Sequence, residues 1–206
     1  MKSANTNILK IDPDRIPMSL VNLAARVLKS GGVIVFPTDT VYGLGCLAGN
    51  EQAKEKIYHL KKREKKKPLP VLVASIKEAE KLIAKGDGTA RRLMKNFWPG
   101  PLTLVLPGVS GGTIGLRMPA HKVALALLKK TGPLATTSVN LSGHPSAKTI
   151  TDIPRNMLKE IDLVLDSGRC ILTVESTVLD LTGLEPMILR QGYLSRNKIL
   201  KALKNV

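Results

Sequence analysis

A chain of 206 residues with 43% hydrophobic side chains can bury one sizeable core and is too short for two full domains, so residues 1–206 are expected to form a single domain. Thirty-two Lys and Arg against 16 Asp and Glu leave a formal net charge of +16, which favours polyanions such as RNA, nucleotides or an anionic membrane over acidic proteins. One Trp, three Tyr and two Phe are too few to build stacking platforms for single-stranded nucleic acid.

In chain order, the N-terminal MKSANTNILKIDPD lacks the apolar run of a signal peptide, and no later segment approaches the ~20 apolar residues of a spanning helix. No membrane association is expected. Leu20, Leu23, Ala24, Val27 and Leu28 share one helical face between Ser19, an expected N-cap, and Gly31, an expected stop. VIVF (33–36) predicts a strand, and Asn50 is placed to cap a helix through Ala53, Ile57 and Leu60. VLVA (71–74) reads as a short buried strand. Ser75 and Glu78 resemble a capping box that opens a helix with Ala79, Leu82 and Ile83 inward. A helix over 90–97 ends at Trp98-Pro99-Gly100-Pro101, since prolines cannot continue it. Strands are predicted at 102–106, 114–118, 134–139, 163–166, 176–181 and 186–190, and helices near 121–130 and 195–203. Interleaved helices and short strands predict an α/β fold with a mixed sheet.

Several familiar motifs fail. Gly43, Gly45 and Ala48 imitate a dinucleotide fingerprint, but the six residues PTDTVY separate them from the preceding strand, so the required tight turn is missing. GVSGGTIG (108–115) lacks the Gly-Lys-Ser/Thr ending of a phosphate-binding P-loop. His59, His121 and His144 lie on separate segments without a nucleophile and are expected at the surface. Cys46 and Cys170 show neither metal-ligand spacing nor a disulfide framework, which fits a reducing cytoplasm. Chemistry here has to work by alignment and charge compensation.

The polar residues recur at strand ends: Thr38, Asp39 and Thr40; Arg117; Ser138 and Asn140; Ser176 and Thr177; Arg190. Ligands collect at such edges in open α/β sheets, although Ser, Thr, Asn and Asp also serve ordinary turns. Arg117 and Arg190 each close an apolar strand, where a guanidinium calls for a carboxylate or phosphate. KKREKKKPL (61–69) adds six cationic side chains and one carboxylate within seven residues, and Pro68 is expected to stop its helix.

PTDTVYGLG (37–45), Lys61-x-Arg63 with KPL (67–69), FWPGPLTLVL (97–106), TTSVNLSG (136–143), STVLDLTG (176–183) and ILRQG (188–192) together resemble the threonylcarbamoyl-AMP synthase family of the YrdC type, over about residues 15 to 195. That resemblance implies a twisted mixed β-sheet flanked by helices with a basic concave cavity. It also implies a nucleotidyltransferase that joins L-threonine, bicarbonate and ATP into L-threonylcarbamoyl-AMP and pyrophosphate, for N6-threonylcarbamoyladenosine formation in tRNA. A separate tRNA threonylcarbamoyl transferase complex would take the product.

Carried onto this sequence, Thr40, Arg117, Ser138 and Ser176 resemble the threonine-binding positions, with Arg117 facing the amino-acid carboxylate. Arg63, Lys67, Asn140 and Arg190 resemble nucleotide-binding positions, Thr113 is a further nucleotide contact, and Lys61 with Arg63 forms the catalytic pair. Lys61, Arg63 and Lys67 are expected to touch phosphate; Lys62, Lys65 and Lys66 remain solvated or meet tRNA. Magnesium is expected to arrive with ATP, since no paired carboxylates mark a dedicated metal site. Glu64 and Glu175 stand where proline is usual or frequent in the family. The chain resembles the short, single-domain form. The alternative expectation is a non-catalytic RNA-binding or regulatory member of the fold, binding tRNA or double-stranded RNA directly.

Overall fold

Apolar residues spaced for helices and short β-branched runs alternate along the chain, and the structure, a computed structural model, describes residues 7–84 and 88–204. The elements run β1 (Asn7–Lys10), α1 (Met18–Lys29), β2 (Ile34–Phe36), β3 (Gly43–Leu47), α2 (Glu51–Lys61), β4 (Val71–Leu72), α3 (Ile76–Glu80) and α4 (Gly88–Phe97). Then follow β5 (Leu102–Pro107), β6 (Thr113–Arg117), α5 (Lys122–Thr131), β7 (Leu134–Ser138), a 3-10 turn (Ile150–Asp152), α6 (Arg155–Leu158), β8 (Leu163–Asp166), β9 (Thr177–Asp180), β10 (Met187–Arg190) and α7 (Arg196–Lys204). Part of the N-terminal stretch examined for a leader, residues 1–6, lies outside the described residues.

The strands form one mixed sheet in the order β1-β8-β2-β3-β7-β4-β6-β5-β9-β10. β2 shows how the core is divided. Its period of two sends Val33 and Val35 toward Ile57 of α2 and Met157 of α6, and Ile34 and Phe36 toward Ala24 and Leu28 of α1 and Leu127 of α5. Leu102 and Leu104 of β5 join Leu93 and Met94 of α4 and Ile199 of α7 in a separate cluster under the other half of the sheet. β4 links the halves, antiparallel to β7 and parallel to β6.

Several local readings need correction. Helix α1 starts one residue before Ser19: Pro17 is its N-cap, with no side-chain cap bond, while Gly31 takes φ +86 beyond the helix end as expected. Ser75 does accept from Glu78 N at 3.1 Å, but the Glu78 carboxylate reaches Ala74 N at 2.7 Å, not the cap residue's own amide. Helix α3 stops at Glu80, short of Leu82 and Ile83. Pro68 does not end α2; Lys62 does, turning left-handed at φ 50. Asn50 caps α2 as read, accepting from Ala53 N at 2.9 Å.

GLGCL (43–47), not predicted as a strand, is the interior strand β3. Its glycines make room: a Cβ on Gly45 would lie 2.9 Å from Thr136 Oγ1 and 3.0 Å from Phe36 Cε1. Strand β1 was likewise not anticipated.

Candidate active site

All ten residues singled out from the sequence, namely Thr40, Lys61, Arg63, Lys67, Thr113, Arg117, Ser138, Asn140, Ser176 and Arg190, line one cavity of about 790 Å³. That volume is within the range of small-molecule sites. One wall comes from the loop after β2, the end of α2 and the end of β7; the other comes from β6, β5 and the β9–β10 pair. The cavity therefore straddles β4.

Arg117, at the end of β6, is 6% exposed, and its anionic partner belongs to the chain: Nη2 donates to Asp39 Oδ1 in a buried ion pair. Nη1 donates to Thr40 Oγ1 at 2.8 Å and Nε to Gly100 O at 3.0 Å. Thr38 Oγ1 donates to Val41 O at 2.6 Å, so the 3.0 Å contact between the two threonine hydroxyls runs from Thr40 to Thr38. The Thr40 hydroxyl is thus aligned by Arg117 on one side and Thr38 on the other. Burial lowers the Arg117 pKa and the Asp39 carboxylate opposes that shift. Asp39 Oδ1 also accepts from Ala120 N at 3.1 Å, while its Oδ2 is buried without a partner among the described residues.

Lys61 is 2% exposed. Its Nζ donates to Ser138 O, to Asn140 O at 2.8 Å and to Asn140 Oδ1 at 2.9 Å, which uses all three N–H groups of an ammonium. Lys61, expected to touch phosphate, lines the cavity and holds the segment Ser138–Asn140. Ser138 Oγ donates to the same Asn140 Oδ1 at 2.7 Å, and Asn140 Nδ2 donates to Leu141 O and His144 O at 2.9 and 2.6 Å. Burial, reinforced by the Arg63 charge, lowers Lys61 to about 8, with Glu175 pulling the other way.

Because α2 ends at Lys61, the basic run leaves the helix and folds back over itself. Arg63 Nε donates to Lys67 O at 2.9 Å and Nη2 to Pro68 O at 3.1 Å, so Arg63 shapes the loop it sits in. Lys67 lies at the exposed rim, 3.2 Å from Glu64. Lys62, Lys65 and Lys66 are exposed, with Lys65 paired to Glu55.

On the opposite wall, Arg190 Nη2 donates to Ser176 O at 2.9 Å and Ser176 Oγ at 3.1 Å, and Thr103 Oγ1 lies 2.8 Å from the same hydroxyl. Arg190 Nη1 is 2.6 Å from Glu175 Oε2. Gly192 permits this closeness, since a Cβ there would fall 2.4 Å from Glu175 O. Sequence reasoning did not assign Asp39, Thr103 and Glu175 these places; Asp39 and Glu175 adjoin named residues, but nothing in the chain order announces their arginine partners. His121, expected at the surface, is 7% exposed, and burial lowers its pKa.

No trio of His, Cys, Asp or Glu among the described residues is arranged to hold a metal ion. Of the carboxylates that line the cavity, Glu64 pairs with Lys67 and Glu175 with Arg190, while Asp180 Oδ1 accepts from Thr182 N at 2.9 Å and Thr182 Oγ1 at 2.7 Å. They do not build a site for a free divalent cation.

The chain has counterparts among known proteins. Residues 26–192 match the Sua5/YciO/YrdC family, described as telomere recombination. A threonylcarbamoyl-AMP synthase of Pyrococcus abyssi is 38% identical over 203 residues, 94% of this chain and 60% of that protein. A putative threonylcarbamoyl-AMP synthase of Mycobacterium tuberculosis is 36% identical over 201 residues, 93% of this chain and 92% of its own length. In structure, P. abyssi Sua5 complexed with L-threonine superposes with a TM-score of 0.90 at 36% identity, covering 98% of this chain and 62% of that one. The chain thus spans less than two thirds of the P. abyssi protein while matching the mycobacterial one nearly end to end. Since the match to residues 26–192 covers more than half of the chain, the chain belongs to the Sua5/YciO/YrdC family.

Proposed function

We propose that this protein is an L-threonylcarbamoyladenylate synthase, a nucleotidyltransferase that converts L-threonine, bicarbonate and ATP into L-threonylcarbamoyl-AMP and pyrophosphate for tRNA modification. The supporting observation is the convergence of Arg117 and Thr40 on one wall-to-wall cavity with Lys61, Arg63 and Arg190. The threonine complex of P. abyssi Sua5 adds weight to an amino-acid site. In this reading Arg117 meets the threonine carboxylate with N–H groups left over from Asp39, Thr40 and Gly100, and the hydroxyls of Thr40, Ser138 and Ser176 surround the amino acid.

The threonine amine attacks carbon dioxide derived from bicarbonate and loses a proton, giving a carbamate. A carbamate oxygen then bonds to the α-phosphorus of ATP as the bond to pyrophosphate breaks. Both partners are anions, so Arg63, Arg190, Lys67 and the buried charge of Lys61 offset their repulsion and the charge growing on pyrophosphate. Asn140 and Thr113 take the nucleotide. Magnesium enters as part of the ATP substrate. A separate transferase consumes the product.

Purified protein supplied with L-threonine, labelled bicarbonate, ATP and magnesium is expected to release pyrophosphate and form a labelled threonine adenylate that requires all three substrates. Steeply salt-dependent RNA binding without either product would select the non-catalytic reading instead.

A further inference from the structure

The three arginine and lysine groups that face the cavity with a carboxylate partner are not equivalent. The Asp39–Arg117 pair is sealed, with side chains 4% and 8% exposed, whereas Glu175 and Arg190 are 30% and 44% exposed at the cavity surface. Glu175 is held at both oxygens: Oε2 meets Arg190 Nη1 at 2.6 Å, and Oε1 accepts from Ser146 Oγ. Its backbone is fixed separately, since Glu175 O accepts from Tyr193 N at 2.9 Å. Any displacement of Glu175 is therefore a movement of its side chain alone. Arg190 is fixed too, because Nε and Nη2 are both bound to Ser176. What the Arg190 guanidinium has left for the cavity is Nη1, and Glu175 Oε2 sits 2.6 Å from it.

We propose that Glu175 is a built-in counter-ion of the anion site: its carboxylate occupies Arg190 in place of a ligand phosphate and swings away when a polyphosphate arrives, so that it sets the affinity of the site. The proposal rests on the nucleotide reading above and deepens it. A polyphosphate and a carboxylate cannot share one N–H face of a guanidinium without like-charge repulsion. Displacement is the state of lower energy because the newcomer brings more charge and more acceptor oxygens. Apparent affinity is therefore the intrinsic affinity reduced by the fraction of molecules in which Arg190 is uncovered. Lys61 lies within the field of the same carboxylate, which raises its pKa against the dominant effect of burial and so favours its charged form.

The test is calorimetric titration of the full chain with inorganic tripolyphosphate, in the wild type, Glu175→Gln and Ser146→Ala. A half-exposed ion pair of this kind corresponds to about a fivefold change in binding. Glu175→Gln is expected to bind tripolyphosphate about fivefold more tightly, and Ser146→Ala, which loosens the hold on Glu175, to shift in the same direction by less. Unchanged or weaker binding in Glu175→Gln, a shift of Ser146→Ala the opposite way, or no binding by wild type and variant alike overturns the proposal. Tripolyphosphate needs neither threonine nor turnover. A failure to release pyrophosphate would sink the synthase reading and leave this result standing, and the reverse holds as well.

Discussion

Arg117 and Asp39 form the most deeply buried ion pair of the site, and neither can be altered alone without consequence. Arg117→Ala leaves a carboxylate 3% exposed with no guanidinium, and a stranded buried charge costs about 3 kcal/mol or more. Loss of activity in that variant would mix a missing ligand contact with a damaged fold. Arg117→Ala combined with Asp39→Asn separates the two: urea denaturation is expected to show most of the stability recovered, while threonine-dependent pyrophosphate release stays absent. A double variant as unstable as the single one would mean that the pair is not the source of the cost.

At the scale of elements, Lys61 ties the end of α2 to the segment that leaves β7 through three oxygens of Ser138 and Asn140. Its pKa is lowered from 10.5 to about 8. Between those values the unfolded chain binds a proton that the folded chain has released, so this group makes the fold more stable as pH rises from about 8 toward 10.5. Function runs the other way. Neutral Lys61 keeps one N–H fewer for Asn140 and removes a charge from under the anion site, so the synthesis rate is expected to fall as pH rises through about 8 while the melting temperature does not fall on its account. Lys61→Met should lose that alkaline limb and run at a low, flat rate; a wild-type rate that is flat across this range would remove Lys61 from the account.

The elements also show what the chain order discloses. Strands such as LVLD (163–166) were legible because an unbroken apolar run has few other fates, and Asn50 was legible because a cap acts three residues away. Strand β3 was not, because its glycines carry no β-propensity of their own; the demand for them comes from Phe36 and Thr136. The shared location of the ten cavity residues could be read from strand ends. The carboxylates on Arg117 and Arg190 could not, since Asp39 lies 78 residues from its arginine and depends on the sheet to meet it. For the same reason Lys61 was read as a phosphate contact and not as a buried tie, because the acceptors on Asn140 that hold it are 79 residues away.

Across the whole molecule, two core clusters lie on opposite faces of one half of the sheet and a third under the other half, and β4, at two residues the shortest strand, joins the halves together with the bonds of Arg117 to Asp39 and Thr40. The residues proposed to hold the amino acid line the cavity from both sides of that seam: Thr40 and Ser138 from one, Arg117 and Ser176 from the other. A compound touching both sides adds its own adhesion to the few bonds of Val71 and Leu72. By linkage, any ligand that binds only the folded state stabilises it by about 2.7 kcal/mol at a hundred times its dissociation constant. Threonine and a non-hydrolysable ATP analogue together are expected to raise the melting temperature by more than the sum of their separate shifts, and strictly additive shifts would show that the seam bears no strain. More than additive shifts would make bound substrate the mortar of this line.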